Sequence, residues 1–254
     1  MNSPTAPSTA PLTPLHRTRI KICGLTREQD VDAAVAAGVD AIGLVLYAPS
    51  PRAVSVKRAA ELAARLPPFV TPVLLFVNAP TPEIIAATAC ISGATVQFHG
   101  DETPEQCWQA SGQGARPFVC AARIPLGAAG AQFDLLEYAH VYSRAQAILL
   151  DAHVEGYGGG GKAFHWSLLP PSVAYHLVLS GGLTPANVTD GILQVRPRCK
   201  TLAVDVSSGV ELDGPDGQPR KGLKDADKIY RFVAAVRAAD AQLANTHHGF
   251  LPTP

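Results

Sequence analysis

The chain carries no net charge, because Lys plus Arg number 21 and Asp plus Glu also number 21. Neutrality without any basic stretch removes the electrostatic reason to expect nucleic acid or a membrane surface as a partner. No apolar run approaches the roughly 20 residues that a spanning helix needs. The five cysteines, Cys23, Cys90, Cys107, Cys120 and Cys199, are odd in number, widely scattered and without a C-x-x-C pair. That spacing argues against a disulfide framework and a structural zinc site, and for a reducing cytoplasm. Residues 1–18 are rich in Pro, Ser and Thr but lack the apolar core of a secretory signal, so a disordered tail is expected. Residues 241–254, with His247, His248 and two prolines, read as a second solvated tail rather than a metal site.

Between the tails, the 254-residue chain has the makings of one ordinary domain, with 47% hydrophobic and 17% charged residues. Short apolar runs alternate with helix-like segments over 19–240. The runs are 19–23, 41–46, 70–77, 95–98, 117–121, 147–151, 174–180 and 201–206, and they are continuous, as expected for parallel strands covered on both faces. Helix starts are signalled by Thr26 with Gln29, by Thr103, Pro104 and Gln106, and by Thr184 with Pro185. The last helix is expected over about 225–243, where Ile229, Phe232, Val233 and Val236 recur at helical spacing. The segment 166–171 is a poor helix, cut short by Pro170 and Pro171. Eight strand–helix units within about 220 residues match a closed (β/α)8 barrel, whose typical length is ~250 residues. An open doubly wound sheet is the rival, since periodicity does not reveal closure.

In such a barrel, the active site lies at the carboxyl ends of the strands, and phosphate often binds at the loops after strands seven and eight. Strand seven leads into Ser180, Gly181 and Gly182, and strand eight into Ser207, Ser208 and Gly209. Glycines let a backbone approach a phosphate closely, and a helix N-terminus beyond them offers unpaired N–H groups. Alternatively, these residues merely form a tight turn and a cap. Residues 156–162 imitate a nucleotide loop, but Ala163 stands where a magnesium-holding hydroxyl is needed, and the spacing after the strand is wrong for both nucleotide motifs. A glycine-hinged loop over the site is the better account. Cys23 and Asp151 end strands one and six; either alone reads as a structural residue, but together they could serve as base and acid on one substrate. The thiol would need its pKa lowered by nearby donors or cations, and the carboxyl would need its own raised by burial. Arg52 is a surface charge or a fork for a carboxylate. His99 is a hydrogen-bonded core histidine or a pocket residue, and Asn78 caps a turn.

The motifs KICGLT (21–26), SPR (50–52), LLFVN (74–78), VQFHG (96–100), LLD (149–151), LSGGLTPANV (179–188) and AVDVSSGVE (203–211) resemble, in order and spacing, the phosphoribosylanthranilate isomerase family. The likeness runs from about residue 19 to 232, and KICG with DVSSGVE is its most specific pair. The resemblance implies a metal-free and cofactor-free Amadori rearrangement of N-(5′-phosphoribosyl)anthranilate in tryptophan biosynthesis. A monomer is the default assembly, because no strong exposed apolar stripe is visible, with a homodimer as the alternative. It implies Cys23 as general base, Asp151 as general acid and Arg52 near the anthranilate carboxylate. Gly181, Gly182, Ser207, Ser208 and Gly209 match the phosphate loops, and Gln97 and His99 match a strand motif lining the pocket. Two departures stand out after strand six: Gly160 where the family has a hydroxyl residue, and His165 where it has Asp. Both bear on loop closure and helix capping. Residues 212–223 read as a surface insertion.

Overall fold

The computed structural model describes residues 17–153, 165–215 and 217–248. Each of the eight apolar runs becomes a strand: β1 (Arg19–Cys23), β2 (Ala41–Val45), β3 (Thr71–Phe76), β4 (Thr95–Phe98), β5 (Phe118–Pro125), β6 (Ala147–His153), β7 (Val173–Leu179) and β8 (Cys199–Val206). All neighbours are parallel, and β1 pairs with β8 as well as with β2, which closes the barrel. Closure excludes the open sheet. The β5 strand runs four residues past its expected end, because Arg123, Ile124 and Pro125 continue in register with Asp151, Ala152 and His153.

The helices are α1 (Glu28–Ala37), α2 (Val56–Ala63), α3 (Thr81–Ala89), α4 (Pro104–Ala110), α5 (Leu135–Val141), α6 (Val188–Val195) and α7 (Ala226–His248). The Thr103 signal forms a true capping box: its side chain accepts from the Gln106 N–H, and the Gln106 side chain accepts from the Thr103 N–H at 2.8 Å. The other two start signals do not. Helix α1 is entered from Arg27 without a side-chain cap, because Thr26 donates its hydroxyl to the Gly222 carbonyl at 2.6 Å. The Thr184 hydroxyl accepts from the Ala186 N–H, so it closes a turn three residues ahead of α6. Between β6 and β7, the described residues make only a 3-10 turn at Trp166–Leu168, as the two prolines behind it suggest. His165 precedes that turn with no side-chain cap.

Both tail expectations need correction at their inner ends. Thr18 is buried, and its N–H and hydroxyl both donate to the Asp240 carboxylate, at 2.8 and 2.6 Å. Helix α7 runs on to His248, through eight residues expected to be tail. The reason is that Ala239, fully buried, and Leu243, packed on the core, extend the stripe begun by Ile229, Phe232 and Val236. Residues 1–16 and 249–254 and the glycine-rich loop at 156–162, with Gly160, lie outside the described residues.

Strand side chains alternate between two environments. Ile20, Ile22, Ile42, Leu44, Leu74, Val96, Phe118, Ile148, Leu177 and Val204 face outward into one continuous apolar core beneath the helices. Burial of each large aliphatic there contributes roughly 1.5–3 kcal/mol. The alternate positions face the barrel axis, where Cys23, Val45, Leu75 and Val77 form a small separate cluster with Tyr47 packed on it. The remaining inward positions mix apolar residues, such as Val73, Ala121 and Leu149, with the polar Lys21, Gln97, Asp151 and Asp205.

Candidate active site

The inward set at the carboxyl end contains Lys21 and Cys23 on β1, Gln97 on β4, His99 just beyond it, Asp151 on β6 and Asp205 on β8, every one buried. Backbone register places Lys21 beside Asp205, Cys23 beside Gly43 and Arg123 beside Asp151. Cys23 and Asp151, distant in sequence, therefore open onto the same interior.

Asp151 is oriented by a chain of hydrogen bonds. The Gln97 amide nitrogen lies 2.9 Å from His99 Nδ1, and His99 Nε2 lies 2.9 Å from Asp151 Oδ2. An amide NH2 only donates, so Nδ1 accepts, the ring proton stands on Nε2, and Nε2 donates to the carboxyl. Gly181 presses on the same carboxyl: at its φ of 75°, a Cβ would stand 2.8 Å from Asp151 Oδ1 and 2.6 Å from the Ala152 nitrogen. This glycine thus makes room for the acid as well as shaping the loop.

Cys23 sits in a different environment. Burial pushes its thiol pKa up, opposed by the Lys21 ammonium, with Lys224 adding a smaller opposing charge. Lys21 donates to Asp205 Oδ1 at 2.8 Å. Burial alone would discharge Lys21, but Asp205 and the neighbouring sulfur outweigh it and raise its pKa. The donor needed to stabilise a thiolate is therefore present, although burial still wins at Cys23. Gly43 provides the space: a Cβ there would stand 2.6 Å from Cys23 Sγ and 3.0 Å from Lys21 Nζ.

Arg52 is neither a surface charge nor a free fork. It is buried, and its Nε and Nη2 donate to the two carboxylate oxygens of Glu211 at 2.7 and 2.8 Å. A guanidinium at this depth without a counter-charge would cost several kcal/mol, on the order of 3–5, which explains why an internal carboxylate holds it. Glu211 also accepts from Lys224 at 3.2 Å and from the Gly222 N–H at 2.8 Å. These partners overcome the penalty of burial and lower the Glu211 pKa. Lys224, by contrast, is lowered by burial despite Glu211.

The loops expected to hold phosphate meet. The backbone of Gly209 packs so tightly on the Leu183 carbonyl that a Cβ has no room. Asn187 ties the first loop by donating to the Gly182 carbonyl at 3.0 Å. Ser207 donates to the Cys23 carbonyl at 3.1 Å and accepts from Lys224 at 3.3 Å. The helix expected behind Ser207 and Ser208 is only the 3-10 turn Ser208–Val210. Val210 is drawn into the core and Glu211 onto Arg52, so the chain leaves as a hairpin, β9 (Glu211–Asp213) with β10 (Pro219–Lys224). The stretch read as a surface insertion, 212–223, therefore packs against the site through Gly222 and leads directly into Lys224. Asn78 is more than a turn cap: it accepts from the Asp101 N–H at 2.7 Å and joins the loops after β3 and β4. Between those loops and α3 and α4 lies a separate cleft of about 390 Å³, lined by Asn78, Glu102 and Ile84 among others.

Sequence reasoning passed over Lys21, Gly43, Asp205, Glu211 and Lys224 as site residues. For Lys21 and Asp205 the signal was available: each is a charge set between apolar neighbours inside a strand, two positions before a site residue. Glu211 and Lys224 had none, since only folding brings them to Arg52.

A closed (β/α)8 barrel whose inward rim carries a thiol beside an ammonium, and a carboxyl held by an imidazole, defines an enzyme class suited to proton transfer on a small molecule. A family model described as N-(5′-phosphoribosyl)anthranilate isomerase matches residues 20–235. The chain is 63% identical over 228 residues to the N-(5′-phosphoribosyl)anthranilate isomerase of Methylibium petroleiphilum, covering 90% of this chain and 98% of that one. The solved phosphoribosylanthranilate isomerase of Thermotoga maritima matches with a TM-score of 0.73 at 37% identity, over 87% of this chain and 99% of that one. A further one, solved with reduced 1-(o-carboxyphenylamino)-1-deoxyribulose 5-phosphate, matches with a TM-score of 0.67 at 32% identity over the same shares. The chain belongs to the N-(5′-phosphoribosyl)anthranilate isomerase family. Among the described residues, no helix is long and apolar enough to cross a membrane.

Proposed function

We propose that the protein isomerises N-(5′-phosphoribosyl)anthranilate to 1-(2-carboxyphenylamino)-1-deoxyribulose 5-phosphate, the ring-opening step of tryptophan biosynthesis. The observation that carries this reading is the shared inward rim of Cys23 and Asp151, the latter gripped by His99. Asp151 delivers a proton to the furanose ring oxygen, the C1′–O bond breaks, and the anilino nitrogen supplies the electron pair that forms an iminium. Cys23 as thiolate then removes the C2′ proton, and the electrons released collapse onto the iminium to give an enolamine. Tautomerisation yields the ketone. The iminium serves as electron sink within the substrate itself.

Arg52 keeps Nη1 outside its pair with Glu211, and we assign that remaining donor to the anthranilate carboxylate. Gly181, Gly182, Ser207, Ser208 and Gly209 are assigned to the phosphate, through the two loops that Gly209 and Leu183 bring together. Gln97 and His99 serve by fixing Asp151. The five unpaired cysteines suit a cytoplasmic location.

Replacing Cys23→Ser and Asp151→Asn separately should each lower turnover by about 10²–10⁴-fold, with binding of inorganic phosphate retained. Near wild-type turnover in both variants refutes the assignment. A tryptophan auxotroph lacking this step should be rescued by the wild-type gene and by neither variant.

A monomer is the simplest assembly. A homodimer is favoured by one observation: Phe69 is 99% exposed, at a φ of 70°, and none of the other described residues covers that ring. One solved relative is described as monomers generated from the dimeric enzyme of Thermotoga maritima. Sedimentation of wild type and Phe69→Asn, which suits the left-handed backbone, decides: equal monomer masses reject the dimer.

A further inference from the structure

The reading of Cys23 as base leaves unexplained why a lysine and an aspartate, costly to bury, stand beneath it in the barrel. Lys21 is two residues before Cys23 on the same strand, so both side chains point to the axis. Its ammonium is held by Asp205 Oδ1 at 2.8 Å from the adjacent strand, and Ser180 donates to the other Asp205 oxygen at 3.4 Å. Lys21 Nζ and Cys23 Sγ both crowd Gly43, within 3.0 Å of the point where its Cβ would stand. The opening left by Gly43 is therefore what lets the nitrogen and the sulfur stand side by side.

We infer that Lys21 is a positioning residue for the base: clamped by Asp205 and admitted by Gly43, its ammonium is the fixed counter-charge that stabilises the Cys23 thiolate. The charged and titratable groups around this sulfur are Lys21 on its own strand, Asp205 on β8, Lys224 on β10 and the Tyr47 ring packed beyond β2. Asp205 is the carboxylate among them: its direct bond to Lys21 holds the cation in place and keeps it charged, while its own negative charge opposes the thiolate less than Lys21 favours it. The energetics agree: Lys21 is the largest influence opposing burial at the thiol, ahead of Lys224.

The test reads the thiolate directly and so does not depend on Cys23 being the base. The ultraviolet thiolate band is titrated in wild type, Lys21→Met and Lys21→Met/Asp205→Asn, each minus its own Cys23→Ser counterpart, which cancels the other four thiols. The double variant leaves no buried carboxylate without a partner, so it protects against simple misfolding. Removing an opposite charge at this range should move the Cys23 titration upward by about one pH unit or more in Lys21→Met, and by less in the double variant, where the Asp205 charge that itself raises the thiol is lost as well. The rising limb of kcat/KM should move with it, so that activity lost at neutral pH returns in alkali. A merely structural lysine would lower the plateau without moving the limb. In the unmutated chain, the Lys21 side-chain nitrogen resonance should step at the pH where the thiolate forms, and that step should vanish in Cys23→Ser. A Cys23 titration unchanged in Lys21→Met, or a Lys21 resonance blind to the thiol, overturns the proposal. Loss of the Cys23 base role alone would appear separately, as full turnover in Cys23→Ser with the thiolate shift still present.

Discussion

Gly43→Ala adds one methyl to the barrel interior, at a point the structure fixes. The new carbon would stand 2.6 Å from Cys23 Sγ, 3.0 Å from the Cys23 backbone and 3.0 Å from Lys21 Nζ. The first figure lies about 1 Å inside ordinary van der Waals separation. A rotamer change alone cannot relieve the clash, because the methyl also presses on the β1 main chain, so β1 and β2 must separate slightly as well. Overpacking of this kind costs about 1–3 kcal/mol, which for a chain of this size lowers Tm by roughly 2–12 °C. The domain should therefore fold. Catalysis should suffer far more, since a reacting atom displaced by about 1 Å can lose on the order of 10²-fold in rate. Gly93→Ala is the matched control. Gly93 has a φ of 70° with nothing within 4 Å of an added Cβ, so the cost there is backbone strain of about 1–2 kcal/mol, far from the site. Thermal denaturation and steady-state kinetics on both variants give the comparison. Similar losses of Tm should accompany a roughly hundredfold fall in kcat for Gly43→Ala and none for Gly93→Ala. Wild-type kcat in Gly43→Ala would show that the position of the Cys23 sulfur does not govern the reaction.

Glu211→Ala should destabilise the domain by about 3–5 kcal/mol, because it leaves Arg52 buried without a counter-charge; urea titration measures the loss, and a change below about 1 kcal/mol would contradict the pairing. The same carboxylate makes stability depend on acid. Its folded pKa is depressed, so its contribution is complete above the ordinary glutamate value of about 4.3 and fades as pH falls through the lower folded value. Wild type should lose more stability over that interval than Glu211→Gln. Gln97→Leu removes one hydrogen bond on His99, about 1–1.5 kcal/mol, so kcat should fall about five- to tenfold with the fold intact; no change would mean that the ring needs no such partner. Finally, burial raises the Cys23 thiol, so kcat/KM should climb with pH and reach half its maximum on the alkaline side of the ordinary thiol range, about 8.5. A midpoint at or below neutral would show that Lys21 and Lys224 together outweigh burial.

The helix caps mark where local signals stop being sufficient. Thr103 and Gln106 satisfy each other within four residues, so the pattern alone predicts the box. Thr26 carries the same kind of signal, but the Gly222 carbonyl, brought in by the late hairpin, takes its hydroxyl. The end of α7 failed in the opposite sense: polar residues and a His pair read as tail, yet Ala239 and Leu243 keep the apolar stripe going against the core. Arg52 shows the same limit at the site. Its residue type left open a surface charge or a fork for a carboxylate, and gave no sign that Glu211, 159 positions away, holds two of its donors.

Much was written in the order of residues: eight apolar strands, the strand ends where chemistry collects, and a Cys and an Asp at two of them. Such features are local, depending only on alternation, chain length and the residue that closes each strand. What the chain order could not express was which charges become neighbours once the barrel closes. Lys21 meets Asp205 because β1 pairs with β8, and Lys224 reaches Glu211 because a hairpin folds back over the mouth. Interactions between charges depend on separation and on how much water is excluded, and both are properties of the closed barrel rather than of any stretch of its sequence.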